Sequence, residues 1–206
     1  VKYYILDNNT GSANAVEATD TVGKFKINVN TERFQLLANG APVEVSEGFA
    51  TFAPGKYTLT LKVLVPYNET YFVKTGATDG NGTEAAPFAT VADAIAAANA
   101  KGCVYGDNIA IKLVGEEAVV WGESEKFSFI PVVESANKEA LTPVIIANDL
   151  QGEIELDYVV VDNTAPTGEG FKRMTVNGNN IKLGANVQGD IEIVGAKQRG
   201  TYISGQ

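Results

Sequence analysis

Histidine is absent from this sequence, and cysteine occurs once, at Cys103. Without histidine the protein lacks both the commonest general base near neutral pH and the commonest transition-metal ligand. Ser-His-Asp and Cys-His catalysis are thereby excluded, as is every histidine-dependent zinc site. A lone cysteine closes no internal disulfide, which removes the disulfide-stapled class of small domains without arguing against export. No apolar run approaches the roughly 20 residues of a membrane-spanning helix, so no membrane insertion is expected. Positive charge is scarce: Lys and Arg total 16 against 25 Asp and Glu, a net charge of -9. A surface of that sign repels phosphate backbones, so no nucleic acid is expected as a partner.

What the sequence does have is strand signal. Hydrophobic residues make up 45% of its 206 positions, enough to bury a core in one large all-β domain or two smaller ones. Lys2–Leu6 (KYYIL), Lys24–Val29 and Phe34–Leu37 are rich in aromatic and β-branched residues, and Asn, Gly and Thr clusters separate them. Asn39-Gly40 is a tight-turn signal joining Phe34–Ala38 to Pro42–Val45. Phe49–Phe52, the Pro54-Gly55 turn and the alternating Tyr57–Val63 complete a set of short strands, which points to a β-sandwich. Residues 11–23 read as a small, polar loop, and Pro66–Thr70 as a linker to a second module.

One helix is expected. Thr90 is a good N-cap, Asp93 stands three residues on as in a capping box, and Gly102 follows Lys101 as a left-handed stop. Val91, Ala94, Ile95 and Ala98 form one apolar stripe at helical spacing. Before the helix lies a Gly/Asp/Asn loop, and beyond Gly102 short apolar strands alternate with Asn and Gly. These are Ile109–Val114, Val119–Trp121, Pro143–Ile146, Ile154–Val161, Met174–Val176, Ile181–Leu183 and Ile191–Val194. Residues 122–142 break the pattern and read as an excursion loop.

The run from Tyr71 to Gly102 resembles the opening region of the pectate-lyase-like right-handed parallel β-helix superfamily. The matching residues are Gly76, Asp79, Asn81, Gly82, Thr83, Pro87, Phe88, Thr90, Ala94 and Ile95. "APGKYTLTLKV" resembles a terminal strand of the immunoglobulin-like modules of bacterial surface proteins. The resemblances imply a mainly β protein: a β-sandwich, Ig-like module over residues 1–68, then over 69–206 a capping α-helix (about 90–101) and the first coils of a short parallel β-helix. At roughly 20–30 residues per coil there is room for about four. The sequence is read as a fragment of a longer exported bacterial protein, extracellular or at the cell surface.

Candidate chemistry is sparse. Asp79, Asn81 and Thr83 put oxygens on alternate residues as a calcium loop does, but Glu84 and Thr90 stand where the pattern needs Gly and Glu, so a plain turn is the leading reading. Glu153, Glu155 and Asp157 alternate with Ile154, Leu156 and Tyr158, placing three carboxylates on one strand face. A solvated strand face has the same pattern. In pectate-lyase-like enzymes such a face binds calcium while an Arg or Lys takes the sugar proton; Lys172 and Arg173 are the residue types for that role, but nothing in the sequence places them near Asp157 or Asp162. Trp121 and Tyr158 are the candidate sugar-stacking rings, although single aromatics are more often core or interface residues.

The expectation is a non-catalytic surface segment, adhesin-like, structural or in contact with a polysaccharide or host glycan. The alternative is a truncated polysaccharide lyase or glycoside hydrolase. End-to-end self-association through exposed coil edges is a third, separate reading.

Overall fold

The computed structural model describes residues 2–6, 13–17, 23–53, 55, 57–146, 150–161, 181–189 and 203–204. Met174–Val176, Ile191–Val194, Asp162, Lys172 and Arg173 lie outside them. The protein is mainly β with one helix, and it falls into two compact units, Val1–Pro66 and Tyr67–Gln206.

The first unit is antiparallel. Strands β1 (Lys2–Leu6) and β2 (Ala13–Glu17) pair in full register. A strand therefore stands where a loop is expected over 11–23; pairing with the strongly β-prone KYYIL segment overrides the weak local preference of ANAVE. Next come β3 (Gly23–Lys26), β4 (Phe34–Ala38), β5 (Ala41–Val43), β6 (Phe49–Phe52) and β7 (Leu59–Val63). β3 pairs with β6, and β4 lies between β5 and β7. Alternation decides the faces: Phe25 and Ile27 are buried while Lys24 and Lys26 are exposed. Phe25, Ile27, Leu36, Ala38, Ala50 and Phe52 form one cluster shared by the two sheets. Asn39 (φ 51°) and Gly40 (φ 81°) take the left-handed conformations that a two-residue hairpin demands.

The second unit is parallel. Its elements are β8 (Asn68–Val73), α1 (Val91–Lys101), β9 (Asn108–Leu113), β10 (Val119–Trp121), β11 (Pro131–Ser135), β12 (Pro143–Ile146), β13 (Ile154–Leu156), β14 (Val160–Val161), β15 (Ile181–Leu183) and β16 (Ile203–Ser204). The larger sheet runs β16-β15-β13-β11-β9-β8 and the smaller β10-β12-β14, with every pairing parallel. From β9 to β14 the strands alternate between the two sheets, and Val160 continues the smaller sheet to Gln188.

Register holds from rung to rung. Ile111, Val133, Leu156 and Leu183 stand side by side, one from each successive rung of the larger sheet. Their column, together with Ile109, Ile154 and Ile181, faces Val119, Trp121, Val144, Ile146 and Val161 of the smaller sheet across one apolar core. Each fully buried Leu, Ile or Val contributes about 1.5–3 kcal/mol relative to leaving it exposed.

Residues 122–142 belong to this regularity, contrary to the expected excursion: β11 is a full rung and Phe127 and Phe129 enter the core. Likewise Asn68, Glu69 and Thr70, expected in a linker, open the parallel sheet as β8. The segment Ile154–Val161 is two strands, broken where Asp157 and Tyr158 turn the corner between sheets, with Tyr158 at φ 46°.

Helix α1 closes the stack on the β8 side. Thr90 Oγ1 accepts from the Asp93 N–H at 3.1 Å and donates to Asp93 Oδ2 at 2.6 Å. Gly102 (φ 81°) ends the helix, its N–H bonded to Asn99 O, and Val91, Ala94, Ile95 and Ala98 are fully buried beneath it. The loop before the helix lies along the outer edge of β8: Phe72 N–H donates to Gly82 O, Lys74 N–H to Phe88 O and Phe88 N–H to Phe72 O. An edge that would otherwise offer unpaired backbone is covered along that stretch. Gly80 is needed for the closeness, since a Cβ there would stand 1.8 Å from Pro87 O.

Candidate functional site

The outward positions of the larger sheet form rows across the rungs. Register places Phe72, Lys112 and Glu134 in one row and Thr70, Ala110, Val132, Glu155 and Lys182 in the next. Asp157 follows in the first row, its N–H bonded to Val133 O at 3.1 Å. Charges from separate strands, far apart in sequence, are thereby brought together.

Glu134 is the centre of the cluster. Its side chain is only 13% exposed, and it pairs with Lys112 from the rung before and with Lys138 at 3.1 Å from the corner that follows β11. Burial alone would raise the Glu134 carboxyl, but hydrogen bonds from Lys112 and Lys138 outweigh it and hold the group below its ordinary range. The same hydrogen bond to Glu134 raises Lys138. Lys138 Nζ also lies 4.1 Å from the centre of the Tyr158 ring, in cation–π range.

The flanking groups are equally committed. Glu155 accepts from Lys182 Nζ at 3.0 Å on the neighbouring rung. Asp157 Oδ1 accepts from Tyr158 N–H at 3.0 Å, from Asn186 N–H at 3.1 Å and from Asn186 Nδ2 at 3.2 Å, which ties two successive corners together. Glu153 is half-buried one residue before β13. What solvent meets first is ammonium: Lys138 and Lys182 are 50% and 62% exposed, above carboxylates at 13% and 26%.

Of the residues the sequence proposes, Tyr158, Glu155 and Asp157 come together here, with Glu153 close in sequence. Trp121 does not. It is 1% exposed, stacked against Phe127 with ring centroids 6.4 Å apart, and its face is turned to the core, so the stacking role expected of it does not fit its burial. Asp79, Asn81 and Thr83 form a turn: Asn81 Oδ1 accepts from Thr83 N–H at 3.2 Å and Oγ1 at 2.7 Å, and Thr83 Oγ1 accepts from Ala86 N–H at 3.2 Å. One carboxylate beside oxygens already bonded within the loop is a poor calcium cage. Among the described residues, no group of three or more Asp, Glu or Cys is arranged to hold a metal.

Sequence reading missed Lys112, Glu134, Lys138 and Asn186, because the signal is a long repeat of roughly 20–30 residues and no motif. Among the described residues, no helix is long and apolar enough to cross a membrane. The sequence matches no family model, no curated protein and no solved structure.

Proposed function

We propose that residues 67–206 are helix-capped coils of a right-handed parallel β-helix, in an exported bacterial surface protein that also carries a small Ig-like module, and that they act as a non-catalytic scaffold presenting a lateral contact face. The observation that carries the reading is the unbroken register of Ile111, Val133, Leu156 and Leu183 on four successive rungs. Parallel strands joined by crossovers are right-handed in nearly all proteins, and stacked rungs, each one turn of the backbone, are what a solenoid is made of.

The non-catalytic part rests on how the carboxylates are used. Glu134 and Glu155 each hold lysine, and Asp157 Oδ1 holds three N–H donors. Groups paired in this way are positioned as rung-to-rung ties. The contact partner is a polysaccharide or cell-surface glycan, met by the Tyr158 ring and the ammonium groups of Lys138 and Lys182.

Native electrophoresis through gels containing pectin, xylan, glucan or mucin glycans, afterwards stained for the polymer, tests this. Retarded migration in one gel with staining intact is expected, and Tyr158→Asn, which keeps a residue tolerant of the left-handed backbone, should abolish it. Unaltered migration in every gel would remove the contact role, and a cleared zone would overturn the non-catalytic one.

A further inference from the structure

The hairpin tip between β4 and β5 has a chemistry of its own. Gly40 is exposed, the space beside it is open, and its N–H has no acceptor among the described residues. Immediately before it, the Asn39 side chain is held in place: Asn39 Oδ1 accepts from the Thr58 N–H at 2.9 Å, while Asn39 N–H donates to Thr58 O at 2.8 Å. A nucleophile with no hydrogen bond to break among the described residues thus sits next to an amide carbonyl whose oxygen already faces an N–H donor. That donor stabilises the negative charge that develops on Oδ1 when Cγ is attacked.

We propose that Asn39-Gly40 is a site of spontaneous backbone modification, with water as the only co-reactant. The Gly40 amide nitrogen loses its proton to solvent and bonds to Asn39 Cγ; the Cγ–Nδ2 bond breaks and ammonia leaves, giving a five-membered imide. Water then opens the ring. Cleavage at the Cγ–N bond leaves aspartate at position 39, and cleavage between the Asn39 carbonyl carbon and the Gly40 nitrogen leaves isoaspartate. One water is consumed and one ammonia released. Isoaspartate routes the backbone through the former side chain, adds a carbon to a two-residue turn, and displaces the oxygen that Thr58 uses.

The molecule contains its own control. Asn81-Gly82 has the same dipeptide, and Asn81 Oδ1 likewise accepts N–H and O–H donors from Thr83. There the nucleophile is confined: Gly82 is buried, its N–H donates to Ala86 O at 3.0 Å, and the Phe88 ring is packed against it. Releasing that N–H breaks a hydrogen bond worth about 0.5–1.5 kcal/mol, which converts to roughly two- to tenfold in rate.

The test is to hold the folded protein in warm, mildly alkaline buffer, hold a second sample in denaturant, digest both, and follow by mass spectrometry the Asp and isoAsp forms of the peptides containing Asn39 and Asn81. In the folded protein the Asn39 peptide should convert roughly two- to tenfold faster than the Asn81 peptide, and the two should converge in denaturant. Equal rates in the folded protein, or an Asn39 peptide that persists while the denatured sample reacts, would overturn the proposal.

Discussion

At the scale of single residues, two positions make sharp tests. Gly152 packs flat against Phe127, and a Cβ there would stand 2.4 Å from the ring. Gly152→Ala should therefore cost about 1–3 kcal/mol by overpacking, measured as a shift in urea midpoint at unchanged slope. Glu134 tests the lateral cluster. Its folded pKa lies below its unfolded one, so its stabilisation is complete above the unfolded value, near 4.3, and is lost as pH falls through the lower, folded value. Glu134→Gln should lower stability at neutral pH by about 0.5–1 kcal/mol and have no such effect in strong acid, which urea titrations at both pH values would show. The rings were legible only in part. Tyr158 stands at a corner between sheets, and Val119-Val120-Trp121 is apolar on both faces, a run that does not reveal which side points inward.

At the scale of elements, α1 was readable in full because every one of its signals is local: cap, stripe and terminal glycine all lie between Thr90 and Gly102. Thr90→Ala should remove the Asp93 N–H bond and cost about 1 kcal/mol, read as earlier thermal unfolding, with Thr90→Ser restoring most of it. The rungs were less legible. β11 opens on Pro131, tolerated because a first strand residue owes no donor to the ladder, and the sequence before it suggests an irregular loop. The corner at Asp157-Tyr158 has no glycine or proline to announce it, so two strands read as one. Asn68-Glu69-Thr70 looks like linker composition and becomes β8 only because Asn108–Leu113 stands ready to pair with it. Each failure has one cause: non-local pairing decided what local propensity left open.

At the scale of the whole molecule, two separate apolar clusters define two units, and only the second contains tryptophan. Fluorescence from Trp121 therefore reports the parallel unit alone, whereas far-ultraviolet circular dichroism reports both. Denaturant curves from the two probes should separate, with the dichroism curve biphasic; coincident curves would mean one cooperative transition. The mainly β character and the place of the helix were within reach of the sequence, whereas the lateral charge cluster was not, since it exists only once the rungs are in register. That register also sets how such a protein can change its length over generations. Excising residues 131–153 would bring Glu155 to the place of Val132 beside Ala110, and Val161 to the place of Val144 beside Val119, every face preserved. Excising one residue within a strand would turn its core side chains outward. Recombination can therefore lengthen or shorten this architecture by whole rungs, while small insertions are tolerated at its corners and purged from its walls.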